Sequence, residues 1–557
     1  MVRQILGVLY KEIKGLHQAA YIIAFFTLAS QLLALVRDRV LAHQFGAGAE
    51  LDIYYAAFRI PDLLFTLFAS VLSVYVLLPF VTRLEERDHT GNRVVNQMMT
   101  LFLLVYLVVA IILFVLAPII LPKIFHGFAV EDQLKLTLLT RVMLLQPFFL
   151  GLSSLAGIIT QLSQRFIIYA ISPLLYNVGI IFGVMVLYPV IGISGLAWGV
   201  VLGAIGHLAV QLPMVYKNHF SPRLIFKFDW RLLREIAAVA IPRSVTLSLN
   251  QVLFIFLFSL ASVMTVGSAS VLQFAYNLQS VPLAIVGMSY SIAAFPTLTS
   301  LLSQQKIDVF NTHLLTAFRH IIFWSLPITG LVIVLRAQIA RVLLGTGAFD
   351  WDDTRLTAAA LSIFIITLVG QAISLLLIRA FYAGGYSKVP LIVTSISTLV
   401  GGATAWCLML LFQQNEHWLA ELLALFRIAN VEGGEVLILP IGFSVATVIQ
   451  VVLLLVFLKT KFAISYRPLQ KKLLQAILAT LAGSFAAYIV LFLVVDGINQ
   501  NTFIGIFLQG AIAGSIGLLV VILTYLKLGS EEMTEIYYSF HARVFKTKVV
   551  VSQDEIL

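Results

Sequence analysis

The sequence predicts an all-α polytopic membrane protein, and three observations predict it. Hydrophobic residues make up 60% of the 557 and Asp, Glu, Lys and Arg only 11%. Apolar runs long enough to cross a bilayer recur from the N-terminal region to Leu528. Between them the basic residues alternate with the loops. Lipid solvates such runs, provided each helix satisfies its own backbone polar groups. Lys and Arg sit in short loops, which excludes the basic face or tail of a nucleic-acid binder despite the net charge of +10. The single cysteine, Cys407, excludes an internal disulfide and a cysteine-based metal site. No HExxH pattern occurs, and no metal, cofactor or catalytic residue is expected.

Taken in order, 1–17 is a basic cytoplasmic segment with Arg3, Lys11 and Lys14. It shows no cleavage site, so the run beyond His17 is read as the first span, not a signal peptide. About fourteen crossings follow from the twenty-residue requirement. Six centre near Leu28, Val71, Val109, Leu150, Gly179 and Gly203, and six near Leu253, Val286, Ile328, Phe364, Leu399 and Gln450. A last pair centres near Ala482 and Ser515.

Charge orients them. Arg83, Arg87 and Arg93 follow the second span, and Lys217 to Arg234 the sixth. Lys459 to Lys472 follow the twelfth, and Lys527 to Lys548 the last. Asp350, Asp352 and Asp353, and Glu416 to Glu435, occupy the opposite side. Roughly 25 basic residues inside against roughly 10 outside places both termini in the cytoplasm. The tail, 529–557, carries Met533, Ile536, Tyr537, Phe540 and Val544 at helical spacing, as a helix packed under the bundle or lying on the membrane would.

The chain also resembles itself. Gly48 and Ala56 match Gly267 and Ala275, Pro79 matches Pro296, Gly127 and Phe128 match Gly347 and Phe349, and Arg165–Pro173 matches Gly385–Pro390. The offset of roughly 220 residues is nearly constant. It predicts two six-helix lobes, 18–222 and 223–462, related by a pseudo-two-fold along the membrane normal, with 463–528 as two added helices.

Ionisable groups in spans are expensive, so those present carry information. Arg37, Asp38 and Arg39 stand where the first span is expected to end. Asp52 precedes the second, and Arg59-Ile60-Pro61-Asp62 opens it. Arg37, Asp52 and Arg59 either ring a polar cavity that takes an anion or cap helix ends as an ion-pair cluster. Arg243, Asn250 and Asn277 are further candidates, and Gln251 and Gln273 more weakly so. Arg141 and Arg336, near span ends, are expected to snorkel. Asp350-Trp351-Asp352-Asp353 is read as a solvated loop with a helix cap, not the metal-binding cluster of a membrane glycosyltransferase.

These same residues carry a family resemblance. Ser30-x6-Arg37-Asp38, Phe45-Gly46-Ala47-Gly48, Asp52 and Ala57-Phe58-Arg59-Ile60-Pro61-Asp62-Leu63-Leu64 resemble the start of the MurJ/MviN family. That family lies in the multidrug/oligosaccharidyl-lipid/polysaccharide exporter superfamily. Ser172 to Asn177, Gly195 to Val200, Pro242-Arg243 with Asn250, and Arg379 to Ala383 followed by Pro390 extend the likeness over most of the chain. The resemblance implies a lipid II flippase of the bacterial cytoplasmic membrane, with two lobes around a central cavity and a C-terminal groove for a polyprenyl tail. Arg37, Asp52 and Arg59 map to its charged cavity positions. The partners implied are the lipid-linked glycan and the bilayer, with a coupling ion left open and a monomer expected. The chain departs from the family at Gln31, Phe65, Ser70, Tyr276 and Asn277, where cavity charges are missing. Another lipid-linked oligosaccharide or amphipathic cargo, or a non-transporting scaffold, therefore stands as the alternative.

Overall fold

The computed structural model describes residues 16–73, 76–77, 80–82, 91–217, 222–494 and 502–535. Arg3, Lys11, Lys14, Pro79, Arg83, Arg87 and the tail from Ile536 onward lie outside these. The described residues are helical with no strand. The first two helices are α1 (Leu16–Phe45) and α2 (Ala49–Val71). Next come α3 (Asn92–Ile124), α4 (Val130–Leu162), α5 (Phe166–Ile191) and α6 (Ser194–Tyr216). Then follow α7 (Trp230–Ser262), α8 (Ser268–Ser303), α9 (Ile307–Leu344), and the bent pair α10a (Trp351–Ile366) and α10b (Leu368–Ala383). The series closes with α11 (Lys388–Gln414), α12 (Gly434–Phe462), α13 (Arg467–Leu493) and α14 (Phe503–Lys527). Eleven of these helices are long and apolar enough to cross a bilayer, and twelve if the pair bent by 47° is one span. The expected fourteen requires α1 and α2 to cross as well, and these are the helices loaded with charge.

Contacts divide the described residues into two units. The first draws on Met1–Leu278, Leu343–Phe364 and Tyr386–Gln450, the second on Gln279–Val342, Ile365–Gly385 and Val451–Leu557. In the first unit, α4 is the most buried span, 67% of its apolar window against 11% for α3. Interior position of α4 matters because the candidate site lies against it. One apolar cluster joins α2, α3, α4 and α7 through Leu64, Phe102, Tyr106, Leu155, Ile158, Ile236 and Ala240. The outer face of α3 presents Leu107, Val108, Ile111 and Val115, all more than half exposed, as a lipid-facing stripe does.

Small residues bring α5 and α6 into backbone contact. A Cβ on Gly199 would lie 2.5 Å from the Gly183 Cα, and one on Gly203 2.5 Å from the Tyr176 carbonyl oxygen. In lipid, where apolar burial drives little, this close approach is what holds two helices together. α11 and α12 repeat the device, with Gly401 against Ala446 and the Gly442 backbone. Residues Gly183–Leu187 of α5 form a π-helical turn, a wide turn that shifts the register of the faces on either side.

Two loop contacts in this unit are mates under the sequence offset. The Gly127 amide donates to Ser262 Oγ at the end of α7, and the Ala348 amide donates to the His43 carbonyl at the end of α1. Gly347, at φ +62°, allows the second: a Cβ there would meet the His43 carbonyl oxygen at 2.3 Å.

In the second unit α13 and α14 pack on each other through Gly483 and Gly517. They pack on α9 through Tyr525, whose hydroxyl donates to the Phe323 carbonyl and whose ring stacks on Phe323. Residues 531–535 continue as helix, and Met533 packs on the cluster of Ile322, Phe323, Ala476 and Val521. There Arg319 and Lys472 receive Glu531 and Glu532.

Candidate functional site

A cavity of about 400 Å³ opens within the first unit, walled by α1, α2, α4, α5, α6 and α8. Its polar lining comes from Arg37, Arg59, Asp62, Gln146, His207, Gln273 and Asn277 together with the phenols of Tyr54, Tyr55 and Tyr176. Leu41, Phe58, Phe65, Leu150 and Ile180 supply the apolar part.

One hydrogen-bonded chain crosses it. The Arg59 Nη2 donates to Gln273 Oε1 at 2.8 Å, and Gln273 Nε2 donates to Asn277 Oδ1 at 2.6 Å. Asn277 Nδ2 donates to Asp38 Oδ2 at 2.9 Å. The other Asp38 oxygen accepts from Arg37 Nε and Nη2 at 2.9 and 2.7 Å. Arg37 Nη1 reaches Asn177 Oδ1 at 3.1 Å. Four helices, α1, α2, α5 and α8, are thereby tied through side chains that a bilayer would otherwise penalise.

The arginines are held differently. Arg37 is clamped on a carboxylate and only a fifth of its side chain is exposed. Arg59 donates Nε to the Tyr55 carbonyl and lies over the Phe258 ring at 4.1 Å. Among the described residues its Nη1 has no hydrogen-bond partner, so a guanidinium fixed by a ring and two bonds keeps one edge for an anion. Pro61, inside α2, lacks the amide that would reach the Ala57 carbonyl, which loosens the helix between Arg59 and Asp62. On the opposite wall His207 Nδ1 and Ser153 Oγ lie 2.7 Å apart, and Gln211 donates to the same hydroxyl.

Of the residues expected from sequence, Arg37, Arg59 and Asn277 come together here. Asp52, Arg243 and Asn250 do not line this cavity. Asp52 is buried in the first turn of α2 and caps α8. Its Oδ2 accepts from the Gly267 amide at 2.6 Å, and its Oδ1 from the Ser270 amide and hydroxyl at 2.7 and 2.6 Å. A helix N-terminus offers unpaired amides and positive potential, which a carboxylate answers best. Asn250 is exposed on α7, and Arg243 is partly exposed beside Pro242.

The helices also run further than the hydropathy suggested. α1 continues two turns past Arg37 to Phe45, and Arg59 falls in the third turn of α2. Asp38, Asn177, Gln146, His207 and the three tyrosines are site residues the sequence did not mark as such. Asp38 beside Arg37 was the available signal; the others are ordinary residues whose convergence is tertiary.

At the positions of departure, Phe65 lines the cavity and Ser70 donates to Ser244 on α7. Tyr276 lies among Phe254, Phe364 and Phe443, edge-on to Phe254 at 4.5 Å. Arg141 lies over the Phe114 ring and donates to its carbonyl, an anchored span end. Among the described residues no three His, Cys, Asp or Glu side chains converge as a metal site would need.

A family model described as lipid II flippase MurJ matches residues 41–514. The chain belongs to the MurJ family. A lipid II flippase MurJ of Burkholderia cenocepacia is 27% identical over 413 residues, covering 69% of this chain and 78% of that protein. A probable lipid II flippase MurJ of Rickettsia prowazekii is 25% identical over 389 residues, covering 69% and 76%. A solved MurJ in an inward closed conformation superposes with a TM-score of 0.71 at 21% identity, over 91% of this chain and 99% of that one. An inward-facing MATE family transporter of the MOP superfamily gives 0.64 at 15% identity, over 78% and 94%. At these identities the two structures speak for a shared MurJ and MATE fold.

Proposed function

We propose that this protein moves lipid II, a polyprenyl-pyrophosphate-linked peptidoglycan precursor, from the cytoplasmic to the outer leaflet of the bacterial inner membrane by alternating access. The observation that carries this reading is the pair Arg37 and Arg59 in one cavity of a MurJ-family chain. Guanidinium groups suit a pyrophosphate because their planar N–H edges match paired oxygens. In this reading 18–222 and 223–462 are the two lobes, both termini are cytoplasmic, and 463–528 serves the lipid tail. The protein acts as a monomer without catalysis.

The ends of α1 and α7 then lie on the outer side. The bonds from the α8 amides to Asp52, from the Ala47 amide to Asp353 Oδ2, and from the Ala348 amide to the His43 carbonyl form an outer closure. These must part for cargo to leave. They are short and local, so opening exchanges a few hydrogen bonds for water and needs no unfolding.

The test is rescue of bacteria depleted of their own flippase. Wild type restores growth, while Arg37→Ala and Arg59→Ala do not, at equal membrane abundance. Arg243→Ala and Asn250→Ala, which lie off the cavity, retain rescue. Flipping in vesicles, with lipid II against other polyprenyl-pyrophosphate glycans, identifies the cargo. A well-inserted wild type that moves none of them sinks the reading. Movement only of another glycan moves the assignment to that cargo, as a cavity with Phe65 in its wall would suit a less anionic head group.

A further inference from the structure

Two carboxylates near the cavity have fixed partners. Asp38 is held by Arg37 and Asn277, and Asp52 by the amides of α8. Asp62 is different. It lines the cavity, yet among the described residues its carboxylate accepts a single hydrogen bond, from Gln146 Nε2 at a long 3.4 Å. No ion pair reaches it among the described residues. Arg59, one helical turn earlier, is turned instead to Gln273 and the Phe258 ring.

Gln146 is 98% buried, from a relative exposure of 2%, and its Oε1 has no partner. Its position is set by the break of α4 at Leu144, which puts Gln146 in the first turn of the second segment, just before Pro147. A half-turn of the amide brings Oε1 to where Nε2 now touches Asp62. Two oxygens with unused acceptor capacity then converge in a wall of low dielectric. Such a pair has no cation in direct contact, and a buried carboxylate with one long hydrogen bond is costly.

We propose that Asp62 and Gln146 form a cation subsite, in the same cavity as the two arginines but bonded to neither, that takes one monovalent positive charge. That charge is either an ammonium group carried by the cargo or a small ion, sodium or a proton, that travels with it. The inference deepens the transport reading and rests on it for the cargo, while the site itself rests on side-chain geometry alone. Two arginines and a carboxylate bonded to neither, in one cavity, select a cargo that is anionic at one point and cationic, or ion-accompanied, at another. A purely anionic head group would meet Asp62 as a repulsive neighbour.

Charged and titratable groups that share the cavity wall with Asp62 are Arg59, Tyr54 and Tyr55 on α2, Arg37 on α1, Tyr176 on α5 and His207 on α6. His207 is the cavity group whose ordinary titration lies near neutrality, so it needs its own control.

The experiment uses the full chain in detergent and then in vesicles. Thermal melting is followed for wild type, Asp62→Asn, Gln146→Leu and the control His207→Gln. Each is titrated with sodium against choline at fixed ionic strength, with methylammonium, and from pH 8 to 5. Wild type is expected to gain stability from at least one of these. Asp62→Asn should lose that response by roughly ten-fold in midpoint or entirely, and Gln146→Leu should weaken it. In vesicles, lipid II with a free peptide side-chain amine is compared with the same lipid acetylated at that amine. A preference for the free amine that vanishes in Asp62→Asn assigns the cargo's ammonium. A sodium or proton dependence that vanishes in Asp62→Asn, whatever the acetylation, and survives in His207→Gln, assigns the accompanying ion. Identical responses of folded wild type and Asp62→Asn to every probe overturn the subsite. Absence of flipping by wild type overturns the transport reading instead, and the melting data still decide the site.

Discussion

Asp52→Ala should open the first turn of α8, and by an amount the geometry sets. The carboxylate accepts from two backbone amides and one hydroxyl, all at 2.7 Å or less. Bonds to a charged group are worth about 1.5–3 kcal/mol each, and they share one carboxylate, so they do not add. Ser270 Oγ can turn to another acceptor, but the two buried amides cannot. Removing the cap therefore costs about 3 kcal/mol, a factor of about 100 in local opening. Asp52→Asn keeps one acceptor oxygen and loses the charge at the helix N-terminus, about 1.5 kcal/mol or roughly ten-fold. Hydrogen exchange read by mass spectrometry over residues 264–272 is the assay. Exchange there should rise in the order wild type, Asn, Ala, while residues 436–446 keep wild-type protection. Gly267→Ala offers a cross-check, because its φ is +96° and a Cβ would lie 2.2 Å from the Ala47 carbonyl oxygen. If exchange over 264–272 is unchanged in both Asp52 variants, the amides are held by something other than this carboxylate and the closure argument fails.

Other outcomes follow from the same contacts. Arg59→Lys keeps the charge but loses the flat group over Phe258 and the Gln273 bond, so rescue should fall well below wild type at equal abundance. Gly199→Ala should lower the melting temperature by an overpacking cost of about 1–3 kcal/mol, whereas Gly206→Ala, whose Cβ meets only Leu175 at 3.6 Å, should be tolerated. The C-terminal cluster gives a pH dependence. The Lys472 hydrogen bond holds the Glu531 carboxyl below its ordinary range. At Glu532 burial acts upward, but the Ser530 bond with Lys472 and Arg319 leaves it lowered. Carboxyls depressed on folding stabilise above their unfolded value, about 4.3, and lose that contribution as pH falls through the folded one. The melting advantage of wild type over Glu532→Gln should therefore be complete at neutral pH and begin to fall only as the pH drops past the unfolded value, about 4.3; an advantage that already declines between about pH 7 and 5 counts against the ion cluster.

Much of the architecture was legible because lipid leaves few choices. Apolar length marked where helices lie, and the centres near Val109, Leu253 and Ser515 fall inside α3, α7 and α14. Helix ends were less legible. Arg37-Asp38-Arg39 looked like a span end because charge is normally excluded from lipid. Here Asp38 and Asn177 satisfy Arg37, so α1 runs on. Asp52 stays ambiguous in the sequence for a related reason: a carboxylate near a helix start reads alike whether it faces cargo or caps a neighbouring helix, and here it caps α8. Asn250 and Asn277 look equivalent in sequence, as amides in apolar runs. Only packing places one at Asp38 and the other on an exposed face. Gln146 and His207 gave no pattern at all, since their meaning lies in what stands opposite.

The hydrogen-bonded chain bears on how cargo could bias the helices. An anion that takes Arg37 in bidentate fashion competes with Asp38 for the same Nε and Nη2 edge. If Asp38 lets go, its carboxylate is left with Asn277 alone, on α8. Asn277 in turn holds Gln273, and Gln273 holds Arg59. Binding at one arginine thus changes the partners of the other through two amides on a single helix, and by linkage the arrangement of α8 changes the affinity for the anion equally. A cavity with few charges can still be responsive for this reason. Its arginines are not independent anchors but the two ends of one network, whose middle is carried by α8.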